Sequence, residues 1–516
     1  MRAPAVVNLL RGDAVGALVS FGVAAALFSR FGLHAHLWRD EAIYAYGGQQ
    51  FADGVPFYAS IFDIKTPLAS QLAGLGVLAG RAVGADDLDA IRVTYFLGAC
   101  AAVSATYLLA RALWRSRLAG YAAAAVLASF SGFAIDAGGG PNAKTFGVLF
   151  AVGSLALAVR GRWFWAALVG SLGFLVWQPL LVYPALVVIA AGLAAAPGRR
   201  RRALTHALAG AALPVILTAV YFLAEGAFGK LVEAAFVFPV TDLRRGPSTL
   251  GSRIDDIVWT LGETYGVMQV FVWAGLPLVP ALLAARIGRD RPGLRAAIAD
   301  PLACVVLPSL VLVSIFSLID FEGYPDLYPA LPYAAIGVAG AAAFLVERAP
   351  RPTLRQVATA GGIAAVVFLV GVSWVRYTRE GGKDRGLAGQ RADAAALDRL
   401  LDPGETLYAL GDPTPLVLTG RRNPSRFIYL SSGVGLWVRR HSGWLPGWMR
   451  DIRATHPAVI VVHGWTAPLA FKVTDSLEHG FEHRSLHGWQ LYLKPAVAAR
   501  ASSRGVALEP PGLPQA

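Results

Sequence analysis

Charged residues are scarce in this chain of 516 residues: Asp, Glu, Lys and Arg make up 15% of it, whereas hydrophobic residues make up 55%. A soluble globular domain is nearer a quarter charged, so this deficit argues against an ordinary water-soluble fold and indicates surface that faces lipid. Cysteine is scarcer still, with only Cys100 and Cys304, both inside apolar runs and far apart in sequence. Two such residues predict neither a disulfide framework nor a thiol metal site.

The chain also shows no internal repeat and no small-residue cleavage site after its first apolar run. We therefore expect that run to remain as a helix rather than to be removed as a signal peptide. The net charge of +13 is typical of nucleic-acid partners in a soluble protein. Here the basic residues fall mostly in short loops between apolar runs, where they orient a membrane protein, so we predict no nucleic-acid partner.

Apolar runs long enough to be membrane-spanning helices recur along the first three quarters of the chain. A spanning helix needs about 20 mostly apolar residues. We predict about eleven spans, near residues 14–34, 91–110, 118–136, 145–159, 163–177, 180–196, 203–223, 266–286, 301–319, 328–347 and 356–376. The apolar stretch 68–84 is short and rich in Gly and Ala, so we predict a helix that lies in the interface or is partly re-entrant.

The loop charges support this count and an orientation. If the N-terminus is cytoplasmic, every predicted inner loop is basic, and these loops contain Arg2, Arg11, Arg111, Arg115, Arg117, Arg160, Arg162, Arg199, Arg200, Arg201, Arg202, Arg286, Arg289, Arg291, Arg295, Arg348, Arg351 and Arg355. The short outer loops carry no Lys or Arg except Lys144. Counting 68–84 as a full span would place the later basic loops outside, against the positive-inside rule. We therefore expect a multi-pass plasma-membrane protein with a cytoplasmic N-terminus.

Three predicted outer segments are long: 35–90, 224–265 and everything after about 377. In the last segment helical stretches alternate with strand-like TLYAL, FIYL, PAVIVVHG and WQLYLKP, a pattern that favours a small α/β domain. The predicted organisation is a transmembrane α-helical domain over 1–376, an extracytoplasmic α/β domain over 377–496, and a disordered low-complexity tail over 497–516.

The first outer segment carries the residues best suited to chemistry. Asp40 and Glu41 follow the first span, and Asp63 and Lys65 follow the turn Gly54-Val55-Pro56. Each has a simpler explanation, because an acidic pair can mark the water boundary and a lysine can extend to the lipid headgroups. Asp63 and Lys65 can also form a surface ion pair worth about 0–1 kcal/mol. Their order and spacing within one segment are the stronger signal.

Transfer of a sugar from a polyprenyl phosphate has two electrostatic requirements at the membrane surface. A cation neutralises the leaving phosphate, and a carboxylate takes the proton of the attacking acceptor hydroxyl. Lys65 suits the first role and Asp40 the second. Single displacement inverts the anomeric centre, whereas double displacement needs a second carboxylate as nucleophile.

The segment that contains Arg39-Asp40-Glu41, GGQQFADGVPFY and Asp63-Ile64-Lys65-Thr66-Pro67 resembles the first loop of the GT-C glycosyltransferases. It is closest to the branch with protein O-mannosyltransferases, lipid A aminoarabinose transferases and related sugar transferases of bacterial envelopes. The resemblance covers roughly residues 1–376. It implies a polyprenyl-phosphate sugar donor, an envelope glycan, lipid or protein acceptor, Asp40 as the base, and Lys65 as a ligand of the carrier phosphate.

Other candidate contacts depart from the family pattern. Relatives carry an acidic residue in the second outer loop, a place that Asp136 or Asn142 would take here. They also carry a cation near the tight loop before a late span, but this chain has none between Asp320 and Pro329. We therefore predict that Lys65 binds the phosphates together with Lys144, Arg244 or Arg245. Further donor or acceptor contacts are predicted at three positions: Gln178, Tyr328 and Arg426.

A transporter or flippase of lipid-linked saccharides is the alternative function. It predicts charged or broken helices near the bilayer midplane and inverted repeats, and ionisable residues are almost absent from the apolar runs. His34 and His36 suggest a metal site, but residues at i and i+2 do not share a helix face, so no metal is predicted at these histidines. The sequence leaves open whether a divalent cation assists at another place.

Overall fold

The computed structural model describes residues 3–243, 249–290, 300, 302–381, 386–430, 432–442, 452, 454–463, 477 and 480–511. The chain forms two compact units, each built from segments distant in sequence. The first unit comprises residues 1–33, 95–218 and 248–383, and the second comprises residues 34–94, 219–247 and 384–516.

The described residues of the first unit form helices joined by loops, with no strand among them. Two α-helices, Asp87–Trp114 and Arg200–Ala224, belong to this unit for the greater part of their lengths. The others are Ala3–Phe28, Arg117–Ala128, Ser131–Gly139, Ala143–Val159, Trp163–Val176, Val182–Ala194, Leu250–Thr260, Gln269–Asp290, Leu307–Ile319, Leu331–Arg348 and Pro352–Glu380. Short 3-10 or π segments adjoin them at Gln178–Leu181, Pro197–Arg199, Leu261–Tyr265, Gly266–Met268, Leu302–Val306 and Tyr324–Leu327.

Each of the eleven predicted apolar runs is helical over most of its described residues, because a backbone without water has to satisfy its polar groups within the helix. Within the described residues, five helices are long and apolar enough to cross a membrane, or six if Arg117–Ala128 and Ser131–Gly139, which meet at 69°, form one span. Five shorter apolar helices match the remaining runs. The polytopic helical architecture is thus established, and the number of eleven spans stays a prediction.

Glycines let two of these helices approach closely. Gly275 in Gln269–Asp290 and Gly337 in Leu331–Arg348 face each other so closely that a Cβ at position 337 would collide with the Gly275 carbonyl oxygen. The Trp114 indole also donates to the Ile336 carbonyl oxygen at 3.0 Å. Small residues at such crossings are typical of helices in lipid, where close van der Waals packing replaces the hydrophobic effect.

The second unit combines helices with one four-stranded sheet. The helices are Arg39–Ala52, Phe57–Ser60, Leu68–Ala82, Phe228–Val232, Phe238–Thr241, Gly386–Leu400, Thr414–Thr419, Val434–Ser442 and Pro495–Arg500, with a π segment at Glu233–Val237 and a 3-10 turn at Ser502–Arg504. The strands are β1 (Leu407–Leu410), β2 (Val459–Val462), β3 (Glu482–Leu486) and β4 (Trp489–Leu493) in the order β1-β2-β4-β3. β1 and β2 are parallel, and the other neighbouring pairs are antiparallel.

The sheet corrects parts of the sequence prediction. TLYAL, VIVV and WQLYL form β1, β2 and β4, but residues 427–430 are not a strand. The polar β3 was missed because an edge strand such as EHRSL lacks an apolar run. Disorder after residue 497 is also wrong for the described part, since helix Pro495–Arg500 continues the sheet and Ser485 bridges to Glu509.

Helix Leu68–Ala82 occupies the stretch predicted as interfacial. Its 15 residues fall short of the roughly 20 that a span needs. It packs on helix Arg39–Ala52, where Gly48 lies against Ala73 and Gly74. This close packing fixes the helix that carries Asp40.

Candidate active site

The two acidic residues in the first turn of helix Arg39–Ala52, Asp40 and Glu41, have different roles. Glu41 accepts the backbone N–H of Trp38 at 2.9 Å through Oε2 and so caps the helix start. Asp40 lies in the same first turn, with 62% of its side chain exposed and Oδ1 3.3 Å from Arg39 Nε. A carboxylate is favoured there by the positive end of the helix dipole. Glu41 is therefore engaged by the backbone, whereas Asp40 faces water.

The loop between Ile61 and Pro67 is held rigidly within the same unit. Asp63 is buried, and its Oδ1 accepts the Ile64 N–H at 2.8 Å. The buried Tyr58 hydroxyl donates to the Lys65 carbonyl oxygen at 2.6 Å. Lys65 Nζ lies 5.2 Å from the centre of the Tyr44 ring, on the helix that carries Asp40. The loop thereby directs its ammonium group towards that helix.

The charges of Asp40, Asp63 and Lys65 act on one another. Burial raises the pKa of Asp63 to about 6, and the Lys65 ammonium opposes this rise. Burial acts to lower the pKa of Lys65, but the Tyr44 hydroxyl and the Asp40 and Asp63 carboxylates raise it well above its ordinary value. Lys65 is therefore expected to stay protonated, next to the helix that carries the exposed Asp40 carboxylate.

Arg426 is tied to this loop. Its carbonyl oxygen accepts the Phe62 N–H at 2.7 Å, and its guanidinium lies 5.3 Å from the Phe62 ring centre. Arg426 Nη2 also donates to Glu233 Oε2 at 2.7 Å. Glu233 was not among the predicted site residues, because nothing in its local sequence indicates a partner so far along the chain.

A second polar cluster lies in the first unit and contains the other predicted residues. Buried Asp136 accepts the Tyr324 hydroxyl and the Asn142 amide, both at 2.7 Å. Asn142 also caps helix Ala143–Val159 by accepting the Lys144 N–H at 3.0 Å. The structure thus brings together the two candidates for the acidic position in the second loop, as one hydrogen-bonded pair.

Arg244 and Arg245 lie outside the described residues, whereas Lys144 contacts the loop 320–329. Its ammonium forms an ion pair with Asp326, with the two side chains 15% and 6% exposed. The Lys144 Nζ lies 5.3 Å from the centre of the Trp177 ring. Asp326 was missed because its only local signal is an acidic residue in a turn.

Tyr328 and Gln178 flank the same part of the first unit. The buried Tyr328 hydroxyl donates to the Gly132 carbonyl oxygen at 2.7 Å. Gln178 is half-buried and begins the 3-10 turn after Trp177. That turn borders an apolar cavity of about 450 Å³ lined by residues such as Trp177, Leu180, Leu186, Phe316 and Pro329.

Among the described residues, no three His, Cys, Asp or Glu side chains gather into a metal-binding group. His36, near Asp40, lies 3.1 Å from the Gln390 side-chain amide.

Comparison with solved structures identifies the architecture. The chain is similar to ArnT from Cupriavidus metallidurans in the apo state, with a TM-score of 0.61 and 13% identity over 95% of this chain and 98% of that one. This chain has the GT-C fold. The predicted resemblance is therefore confirmed at the level of fold.

Two further structures with the GT-C fold are similar over most of this chain. ArnT from the same organism bound to undecaprenyl phosphate gives a TM-score of 0.57 with 14% identity over 95% of this chain and 98% of that one. The apo oligosaccharyltransferase of Archaeoglobus fulgidus gives 0.52 with 11% identity over 91% of this chain and 73% of that one. No family model matches the sequence, and no curated protein matches it. The fold and the apolar helices make this chain a multi-pass membrane protein.

Proposed function

We propose that this protein is a membrane glycosyltransferase that moves a sugar from a polyprenyl-phosphate carrier to an acceptor on the extracytoplasmic face. The proposal is supported by an exposed carboxylate, Asp40, and a lysine, Lys65, whose ammonium group lies against Tyr44 on the same helix, in a chain with the GT-C fold. Undecaprenyl phosphate bound to ArnT supports a carrier of that chemical class.

The proposed reaction is a single displacement. The acceptor hydroxyl oxygen forms a bond to the anomeric carbon while the bond from that carbon to the phosphate oxygen breaks. The acceptor proton passes to the Asp40 carboxylate, and the bonding electrons leave with the polyprenyl phosphate, whose charge the Lys65 ammonium neutralises. The anomeric centre is inverted.

Burial of Asp63 favours single over double displacement. A covalent nucleophile has to reach the anomeric carbon, but Asp63 is only 7% exposed and one of its oxygens accepts the Ile64 N–H. We assign Asp63 to the charge balance of Lys65 instead. Glu41 is assigned to the start of its helix, because its carboxylate caps the Trp38 N–H.

The first unit offers an apolar surface suited to an isoprenoid chain. The cavity beside Trp177 is lined almost entirely by apolar side chains of three segments, 177–189, 312–317 and 329. We propose this cavity as a site for part of the carrier chain. Lys144, Asp136, Asn142, Gln178, Tyr328 and Arg426 remain proposed donor or acceptor contacts.

The test uses purified full-length protein, reconstituted with labelled polyprenyl-phosphate sugars and a panel of envelope acceptors. We expect Asp40→Asn to reduce transfer by about 10²–10⁴-fold, the usual contribution of a general base. Asp53→Asn is the matched control, since Asp53 follows the other end of the same helix and is paired with Arg81.

Three results would overturn the proposal. If folded Asp40→Asn transfers sugar at a near-normal rate, Asp40 is not the base. If Lys65→Met releases sugar from the donor as fast as the wild type, Lys65 is not the phosphate ligand. Movement of intact lipid-linked sugar across vesicles, with no glycosidic bond formed, identifies a flippase.

A further inference from the structure

The guanidinium of Arg39 is held by residues from the far end of the chain. Its Cζ lies 4.8 Å from the centre of the Tyr429 ring, while its Nε is 3.3 Å from Asp40 Oδ1. Arg39 and Tyr429 both belong to the second unit. Arg39 is 32% exposed, about half as much as the carboxylate that it contacts. The cation is therefore the anchored partner of this pair.

A second carboxylate, Asp412, follows the first strand of the sheet. Because β1 and β2 are parallel and in register from Leu407–Val459 to Leu410–Val462, the residues that follow them emerge at one edge. Asp412 follows β1, His463 follows β2, and His463 Nε2 lies 3.8 Å from Asp412 Oδ2. Asp412 is buried, and its Oδ1 accepts both the N–H and the hydroxyl of Thr414, at 2.8 and 2.6 Å.

The charges of these groups reach one another. Burial acts to lower the pKa of Arg39, whereas Asp40, Tyr429 and Asp412 raise it, and the net change is upward. Burial raises the pKa of Asp412, and His463, Thr414 and Arg39 oppose the rise. Arg39 is thus attracted by an exposed carboxylate and by a buried one.

An isolated exposed pair such as Arg39–Asp40 contributes about 0–1 kcal/mol, because two long side chains lose freedom to form it. The aromatic face of Tyr429 changes this balance, since it orders the planar guanidinium independently of Asp40. Most of the conformational entropy of Arg39 is then lost when the second unit folds, and not when the exposed pair forms.

We propose that Arg39 is a positioning residue for Asp40 and that the Tyr429 ring holds it in place. The guanidinium keeps the Asp40 carboxylate ionised and turned towards the acceptor. The C-terminal residues 384–516 thereby contribute to the chemistry of the first loop. This inference rests on the proposed function, because it takes Asp40 as the base.

The expected pH effect follows from the charges around Asp40. Arg39 and Tyr44 face it from its own helix, and Asp63 and Lys65 act on the same cluster from the loop. Arg39→Gln removes one cation and leaves the like charge of Asp63. We expect the acidic limb of kcat/KM to move to higher pH by roughly 0.5–1 unit, since an opposite charge favours the ionised form.

The kinetic split separates positioning from donor binding. Arg39→Gln is expected to lower kcat about tenfold, a loss equivalent to about 1.4 kcal/mol, and to change the KM for the donor less than twofold. Tyr429→Leu removes the ring face and should shift kcat and the acidic limb in the same direction. Arg39→Lys keeps the positive charge but lacks the planar guanidinium. The acidic limb of kcat/KM should therefore stay at the wild-type pH, while kcat falls in part.

Conservative and matched variants complete the experiment. Tyr429→Phe keeps the aromatic ring, so the acidic limb of its kcat/KM profile should lie at the wild-type pH. Arg484→Gln removes an exposed arginine of the same sheet, paired with Glu482 in β3, and should change neither kcat nor the limb.

The outcomes distinguish this inference from the proposed function. If the wild type transfers sugar and Asp40→Asn does not, but Arg39→Gln and Tyr429→Leu keep the wild-type kcat and acidic limb, the positioning role is wrong and the base stands. Equal loss of kcat in all variants, including Arg484→Gln, with no shift of the limb, also overturns it, because it reports only a weakened fold. An active Asp40→Asn removes the base itself.

Discussion

Lys144 forms an ion pair with Asp326 in a loop, 320–329, that carries no cation of its own. Their side chains are mostly buried, and Asp326 Oδ2 also accepts the Glu322 N–H at 2.7 Å. Removal of one member of a buried pair leaves an uncompensated charge, which typically costs about 3–5 kcal/mol. We therefore expect Lys144→Met to lower the thermal stability of the detergent-solubilised protein strongly.

The double variant makes this prediction specific. Lys144→Met with Asp326→Asn removes both charges, so most of the lost stability should return. Melting curves of the two single variants and the double variant give the coupling energy. Additive losses would show that the two charges do not depend on each other.

At the level of elements, the crossing of Gln269–Asp290 and Leu331–Arg348 depends on the absence of side chains. A methyl group at position 337 would meet the Gly275 carbonyl oxygen, so the helices would have to separate. We expect Gly337→Ala to destabilise the protein by about 1–3 kcal/mol, the usual cost of overpacking.

Gly371 provides the matched control for this substitution. It lies within helix Pro352–Glu380 with no other heavy atom near its would-be Cβ. Gly371→Ala should be neutral or slightly stabilising, since alanine is the better helix former by about 1 kcal/mol. Equal melting temperatures for both variants would contradict close packing at Gly275.

At the scale of the whole molecule, the basic loops predict the orientation in the bilayer. The wild-type cysteines, Cys100 and Cys304, are both buried, so an introduced exposed cysteine reports its own side of the membrane. We expect a membrane-impermeant thiol reagent to label Pro403→Cys from outside intact cells, and Gly198→Cys only after permeabilisation. Both positions are exposed. Labelling of Gly198→Cys in intact cells would reverse the orientation and place Asp40 on the wrong side for the proposed reaction.

The local parts of the candidate site could be predicted from sequence. Asp40 and Lys65 stand in one short segment, so the helix start, the turn and the loop between them limit where they lie. The contacts that hold them could not be predicted in the same way. Arg426 meets Phe62, and Tyr429 meets Arg39, only because segments far apart in sequence fold together.

The sequence by itself determined that this chain is a helical membrane protein, because long apolar runs have to close their backbone hydrogen bonds within helices when no water is present. It also determined the charge pattern of the first loop. Only the tertiary structure decided which charges are compensated: Lys144 by Asp326, and Arg426 by Glu233. The physical reason is that electrostatic pairing depends on distance in space and on burial, and neither is fixed by position along the chain.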